Sequence, residues 1–272
     1  MSSSSPSKSA ALTLFAFGDD PIRTLVQNAQ VNLQHCIDGY DRSVLLKEDF
    51  VAVGQSRPDL VLAPSGQNFV AQLRDLVATD HYVDIFLFAH GSPGRISIPG
   101  NDNDITESFL LDELSREKTG RSELPIRTVY QMNCYGQTLN QTWIDLGAKV
   151  VCGARYVNYY PNQFNAFAKE WQKGTVPFFT ALRESNTDSS RTVMQALIAA
   201  DGAAHPGPTT CPLLSTVLGD NACAKSYFLE HWLSAGEWQE SMSGKENMNY
   251  SSYMFRAGSN LPRKDIPLMW HP

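Results

Sequence analysis

Three kinds of segment are missing from this chain, and each absence removes a class of function. There is no long basic block, and with 22 Lys and Arg against 28 Asp and Glu the net charge is −6. A chain of that balance has no electrostatic footprint for nucleic acid or for an anionic membrane surface, so neither is expected as a partner. There is no apolar run approaching the ~18 residues that a membrane span requires. Internal repeats are absent too. Charged residues make up 18% of the chain, below the ~25% of an average domain. The hydrophobic share of 42% in 272 residues is ample for one large α/β domain with an appendage.

Cysteine is scarce and unpatterned. Cys36, Cys134, Cys152, Cys211 and Cys223 are odd in number and scattered, unlike a disulfide framework or a zinc site. Cys36 falls on a helix face and Cys152 in a strand, where small buried thiols are common. Cys211 and Cys223 have a spacing that suits pairing in an oxidising compartment, but reduced thiols are the expected state. The histidines other than His90 (His35, His81, His205, His231 and His271) have no metal-ligand spacing. No cofactor and no metal are expected.

The N-terminus does not read as a signal peptide, and none is expected. Met1 to Ser9 is polar and serine-rich, Lys8 is a poor basic region, and Phe17-Gly18-Asp19-Asp20 is a poor cleavage site. Residues 1–9 read as a disordered leader. The protein is expected in the cytoplasm, or exported without a cleaved signal peptide.

What is present is alternation of strand and helix. Ala11 to Phe17 reads as a strand, followed by a helix opened by Asp20 and Pro21 and stopped by Gly39. A second strand is expected at Phe50 to Val53, and a short extended piece at Asp59 to Ala63. The helix Gln67 to Thr79 carries Phe69, Val70, Leu73, Leu76 and Val77 on one stripe. A strand ending at His90, a surface β-excursion at Arg95 to Ile98, and a helix opened by an Asp104/Glu107 capping box come next. Then follow the strand Ile126 to Met132, a helix over Thr138 to Leu146, the strand Ala148 to Cys152, and the helix Pro161 to Lys173. A helix over Ser190 to Ala200 precedes a proline- and glycine-rich loop at Gly202 to Pro212. Such an order means a mainly parallel sheet in a three-layer α/β/α fold. Residues 10–200 are read as the catalytic domain and 201–272 as a C-terminal extension packed on it.

Two strands carry the chemistry. Val83 to Ala89 is an apolar run ending in His90-Gly91, and Val129 to Met132 is followed by Asn133-Cys134-Tyr135-Gly136. Ligands of open α/β sheets collect outside the carboxyl ends of such strands. There a histidine can supply the base that makes a cysteine thiolate available as nucleophile. Gly91 allows close backbone approach, the Cys134 amide is a second candidate donor for a developing oxyanion, and Gly136 permits a tight turn.

An apolar block ending in His-Gly, followed some tens of residues later by one ending in cysteine, resembles the caspase-fold cysteine peptidases of clan CD. The blocks are Ile85-Phe86-Leu87-Phe88-Ala89-His90-Gly91 and Val129-Tyr130-Gln131-Met132-Asn133-Cys134. Gly147 to Val151 and Phe164 to Gly174 look like the strand and helix that follow the cysteine in bacterial CHAT-type members. The resemblance covers about residues 10–200. It implies a caspase-like fold and a thiol endopeptidase acting on a protein or peptide substrate. Cys134 is then the nucleophile, His90 the base and proton donor, and Gly91 and Cys134 supply the oxyanion hole of a thioester pathway that needs no metal.

The chain departs from the better-known members beside the nucleophile. Met132 stands where caspases carry glutamine and metacaspases aspartate, so neither selectivity carries over. Asp19 or Asp20, in the loop after the first strand, is a candidate for holding a basic P1 side chain, with Asp20 also suited to a plain N-cap. Asn133 and Tyr135 are expected to line the cleft, with the satisfaction of backbone groups as the alternative role for either. Tyr156 is a candidate pocket wall, with Tyr159 and Tyr160. An α/β-hydrolase would need glycine on both sides of the nucleophile and its histidine later in the chain, and neither holds here. A catalytically silent caspase-like binding module is the alternative function, and the intact pair argues against it.

Overall fold

The strands are short apolar runs that find partners on both edges. The computed structural model describes residues 8–17, 30–49, 51, 57–79, 81–100, 104–154, 162–185, 251–255, 261, 263 and 266. The expected helix over 190–200 and the loop over 202–212 lie outside them. In chain order the elements begin with β1 (Lys8–Ala16), α1 (Gln30–Ile37), β2 (Arg42–Lys47) and β3 (Leu60–Leu62). They continue through α2 (Gly66–Ala78), β4 (His81–Ser92), β5 (Arg95–Ser97), β6 (Ile105–Thr106), α3 (Glu107–Glu113) and α4 (Arg116–Thr119). β7 (Ile126–Gln131), a 3-10 turn (Gly136–Leu139), α5 (Asn140–Leu146), β8 (Val150–Ala154), α6 (Asn162–Gln172) and β9 (Ser251–Phe255) follow. The main sheet runs β3-β2-β1-β4-β7-β8-β9, parallel throughout except for β9, which is antiparallel to β8.

Helices cover both faces, giving the expected three-layer α/β/α arrangement of the caspase-like fold. Along β4 the side chains alternate. Val83, Ile85, Leu87 and Ala89 enter one core with Phe69, Leu73 and Leu76 of α2 and Trp143 of α5. Phe86 and Phe88 enter the other with Leu33 and Cys36 of α1 and Phe164, Phe167 and Trp171 of α6. That period of two on a strand buried on both sides is why β4 reads as an unbroken apolar run from Ile85 to Ala89. The second core is aromatic: the Phe164 ring meets Phe88 at 5.0 Å and Tyr130 at 4.8 Å.

Three sequence expectations change and a fourth gains detail. The second strand is β2, Arg42–Lys47; of the expected stretch 50–53 only Val51 lies among the described residues, outside any strand. Arg42 and Lys47 bracket only Val44-Leu45-Leu46, and extended structure there comes from pairing with β1 on one edge and β3 on the other. β1 begins at Lys8, so Lys8 and Ser9 belong to the sheet rather than to a leader; pairing opposite His81 and Tyr82 requires only their backbone. The N-cap of α3 is Thr106, whose hydroxyl accepts from Phe109 N, while Asp104 instead accepts from Ile98 N at 2.9 Å. Finally, part of the C-terminal extension is the edge strand β9, and Ile266 is a core residue.

The amino end of the sheet is closed by charge. Asp84 of β4 is wholly buried and takes two hydrogen bonds from Arg127 of β7, at 2.9 and 2.6 Å. Tyr40 donates to it at 2.8 Å, and Arg263 lies 3.5 Å away. Burial alone raises a carboxyl; the two guanidinium groups outweigh it and hold Asp84 below the usual carboxylate range. Among the described residues no helix is long and apolar enough to cross a membrane.

Candidate active site

The strand order reverses direction about β1, which has β2 on one edge and β4 on the other. A crevice therefore opens outside the carboxyl ends of β1 and β4, where open α/β sheets bind ligands. β4 is buried through Ala89, then half-exposed at His90 and Gly91. The histidine stands where the strand leaves the core.

Cys134 reaches the same level on the next strand. Leu87 pairs with Gln131, and Met132 N donates to Leu87 O at 2.8 Å. His90 and Cys134 each lie three residues beyond that pair, on strands about 4.8 Å apart. Direct proof that the two ends touch comes from Gly91. A methyl group on its Cα would stand 2.6 Å from the Cys134 carbonyl oxygen and 2.7 Å from Asn133 Nδ2. Only glycine fits there, as expected for the residue after His90.

Aromatic packing steadies the imidazole. The Phe17 ring, immediately after β1, meets His90 edge-on with centroids 5.3 Å apart and planes at 83°. Pairs of this kind are worth about 0.5–1.5 kcal/mol beyond the area they bury. Phe17 N in turn donates to Glu48 Oε2 at 3.1 Å, so β1 and β2 are tied at their carboxyl ends. Neither Phe17 nor Glu48 was singled out by sequence. Each is one aromatic or acidic residue among many, and only the parallel register of β1 with β2 and β4 selects it.

The turn carrying Cys134 is strained and tightly packed. Tyr135 has φ 56°, the one positive φ at a residue other than glycine among the described residues. Such a conformation costs about 1–2 kcal/mol and persists where surrounding contacts over-determine it. Gly136, expected to supply the turn, keeps an ordinary φ and serves close packing instead: its Cα faces Gln131 Cβ, Asn133 Oδ1 and Gly153. Gly153 of β8 lies still closer, since a methyl there would come 2.3 Å from the Gly136 carbonyl carbon. Beneath the turn, Gln131 donates to Asn140 Oδ1 at 2.9 Å and accepts from Trp143 Nε1 at 3.1 Å, fixing α5 to β7.

The residues flanking the cysteine point inward. Met132 is 3% exposed and packs in the aromatic core. Asn133 is wholly buried; Nδ2 donates to the Cys134 carbonyl at 3.2 Å and Oδ1, near Gly136, has no hydrogen-bond partner. The expectation that Asn133 lines the cleft gives way to a role under the turn, because its amide fills the space left by two glycines. Tyr135 is half-exposed beside the cysteine. Asp19, Asp20 and Tyr156 lie outside the described residues.

The described thiols differ in kind. Cys36 and Cys152 are wholly buried, and burial pushes both thiols well up, which leaves them inert. Cys134 is half-exposed, at a turn beside a histidine-bearing strand. Among the described residues no three metal-ligating side chains gather into a cluster. Chemically, the arrangement offers an accessible thiol, an imidazole on the adjacent strand end, and two backbone segments in contact between them. No family model matches this chain, and no curated protein proves similar to it.

Proposed function

We propose that the chain is a cysteine endopeptidase in which Cys134 and His90 form the catalytic dyad. The supporting observation is the contact of Gly91 with the Cys134 carbonyl, which holds the histidine strand end against the cysteine turn. The reaction follows from that placement. His90 takes the thiol proton, and Cys134 Sγ attacks the scissile carbonyl carbon of a peptide substrate. The Gly91 and Cys134 amides stabilise the tetrahedral oxyanion. Collapse breaks the C–N bond as His90 protonates the leaving amine, and a thioester remains. Water, deprotonated by His90, then attacks the thioester and frees Cys134 and the new carboxylate.

A fluorogenic peptide library, incubated with wild type and with Cys134→Ala, tests this reading. Cleavage by wild type and none by the variant is the expected result. Equal background cleavage by both overturns the peptidase and leaves a caspase-like binding module. If Asp19 or Asp20 holds a basic P1 side chain, an arginine or lysine preference weakens in Asp20→Asn or Asp19→Asn.

A further inference from the structure

The hairpin that starts with His90-Gly91 reaches back over the turn that carries Cys134. β5 folds antiparallel onto β4, pairing His90 with Ser97, Gly91 with Ile96 and Ser92 with Arg95, so that Pro93 and Gly94 form its tip. At that tip Gly94 N donates to Thr138 Oγ1 at 2.8 Å, and Thr138 Oγ1 donates onward to the Tyr135 carbonyl at 2.8 Å. One hydroxyl therefore joins the histidine hairpin to the strained residue after the cysteine, accepting from one and donating to the other. The two segments meet again at Gly91 and the Cys134 carbonyl. Thr138 makes the second tie that stops the hairpin from pivoting about the first.

Resting on the dyad reading above, we propose that Thr138 is a positioning residue for His90 and Cys134. It touches neither substrate nor the reacting atoms. It sets the separation of imidazole and thiol by clamping the hairpin tip to the Tyr135 carbonyl. Glycine at position 94, at φ +72° with open space around it, lets the tip turn its amide toward Thr138. A valine has the shape of threonine but can neither accept from Gly94 nor donate to Tyr135.

The test reads the dyad by alkylation as well as by turnover. The rate of carbamidomethylation of Cys134 by iodoacetamide is measured between pH 5 and pH 9 by mass spectrometry of its peptide. Wild type, Thr138→Val, Thr138→Ser, His90→Ala and Cys134→Ala are compared, with kcat and KM on the best library peptide alongside. In wild type the imidazole sustains alkylation on the acid side, and His90→Ala removes that limb. Thr138→Val is expected to lose it in part, with kcat down roughly tenfold for a displacement of a few tenths of an ångström and KM unchanged. Thr138→Ser keeps the hydroxyl and restores both. Thr138 is exposed, so the melting temperature of each variant verifies the fold. A Thr138→Val profile and kcat equal to wild type overturn the clamp while leaving the dyad standing. So does Thr138→Ser impaired as deeply as valine. A wild-type profile indifferent to His90→Ala, with hydrolysis surviving Cys134→Ala, removes the dyad and the clamp together.

Discussion

Gly91→Ala is the sharpest probe of the contact that brings the two strand ends together. The new methyl would stand 2.6 Å from the Cys134 carbonyl oxygen, 2.7 Å from Asn133 Nδ2 and 3.0 Å from the Arg95 carbonyl oxygen. Two of those neighbours are backbone and the third is a fully buried amide, so no flexible side chain can swing aside. Restoring a tolerable separation moves the Cys134 turn away from β4 by about 0.4–0.8 Å, and a 1 Å misplacement of reacting groups costs roughly a hundredfold. A loss of roughly 5- to 50-fold in kcat, and a matching loss of acid-side alkylation of Cys134, is expected. Overpacking of this kind also destabilises by about 1–3 kcal/mol.

Stability and site effects are separated by a second variant. Gly120, at φ +69°, ends α4 in open space. Alanine there takes on a left-handed conformation at a cost of about 1–2 kcal/mol. Both variants should therefore lose comparable stability in urea unfolding, while only Gly91→Ala loses reactivity at Cys134. Matching alkylation profiles in the two would falsify the claim that the strand ends meet at Gly91. A Gly91→Ala protein as stable as wild type would do the same.

Four further outcomes follow from the same geometry. Native protein treated with a limiting amount of iodoacetamide should label Cys134 and leave Cys36 and Cys152 unmodified until denaturant is added; peptide mapping reads the order, and early labelling of Cys152 contradicts its burial. Asp84→Ala strands Arg127 in the core and should cost about 3–5 kcal/mol, which lowers the melting temperature by on the order of 10 °C. Because Arg127 holds the Asp84 carboxyl below its unfolded value of about 3.9, that stabilisation is complete above pH 4 and fades as pH falls through the lower folded value. Wild type should thus lose its advantage over Asp84→Asn on acidification, and a stability difference constant from pH 7 to pH 3 refutes the assignment. Gly153→Ala pushes against the backbone of Gly136 and Gln137 from β8; reduced alkylation of Cys134 with the second core intact by near-ultraviolet circular dichroism is the expected result.

Much of the architecture was legible because most strands are buried on both faces. Ile85 to Ala89 shows as an apolar run and Ile126 to Met132 as a largely buried stretch, and they end one and two residues before His90 and Cys134. β2 escaped notice because three apolar residues between Arg42 and Lys47 make no pattern, and their extended form depends on partners on both edges. β9 lies far along the chain and is defined by its pairing with β8. At the candidate site, the placement of His90, Gly91 and Cys134 at neighbouring strand ends was legible since residue type and strand end coincide. Phe17 and Thr138 were not, because what matters in each is a contact with a residue distant in sequence. The left-handed residue lies one position before the glycine expected to permit the tight turn. Gly136 appears in sequence to be the turn residue, but Gly153 presses on it from β8, and Tyr135 takes the left-handed conformation instead.

The two ends of the central strands carry opposite kinds of interaction. At the amino end, β4 and β7 are joined by a buried carboxylate with a bidentate guanidinium, Tyr40 and Arg263 around it. Removing Asp84 or Arg127 there leaves an uncompensated charge, so that end is held whatever happens at the other. At the carboxyl end the same two strands are joined by the Gly91 contact and one exposed hydroxyl, and the Phe17 ring adds an aromatic edge to β4 from β1. Each of those is worth about 1 kcal/mol. Such a division lets the carboxyl end hold a left-handed Tyr135 and a half-exposed thiol at little risk to the fold. It also sets the expected pattern of variants. Substitutions at Asp84 or Arg127 should lower stability and leave Cys134 chemistry intact in the fraction that remains folded, whereas Thr138→Val should do the reverse and Gly91→Ala should lower both. A variant at Asp84 that stays folded yet loses acid-side alkylation would show that the two ends are coupled through β4, and this separation would then be wrong.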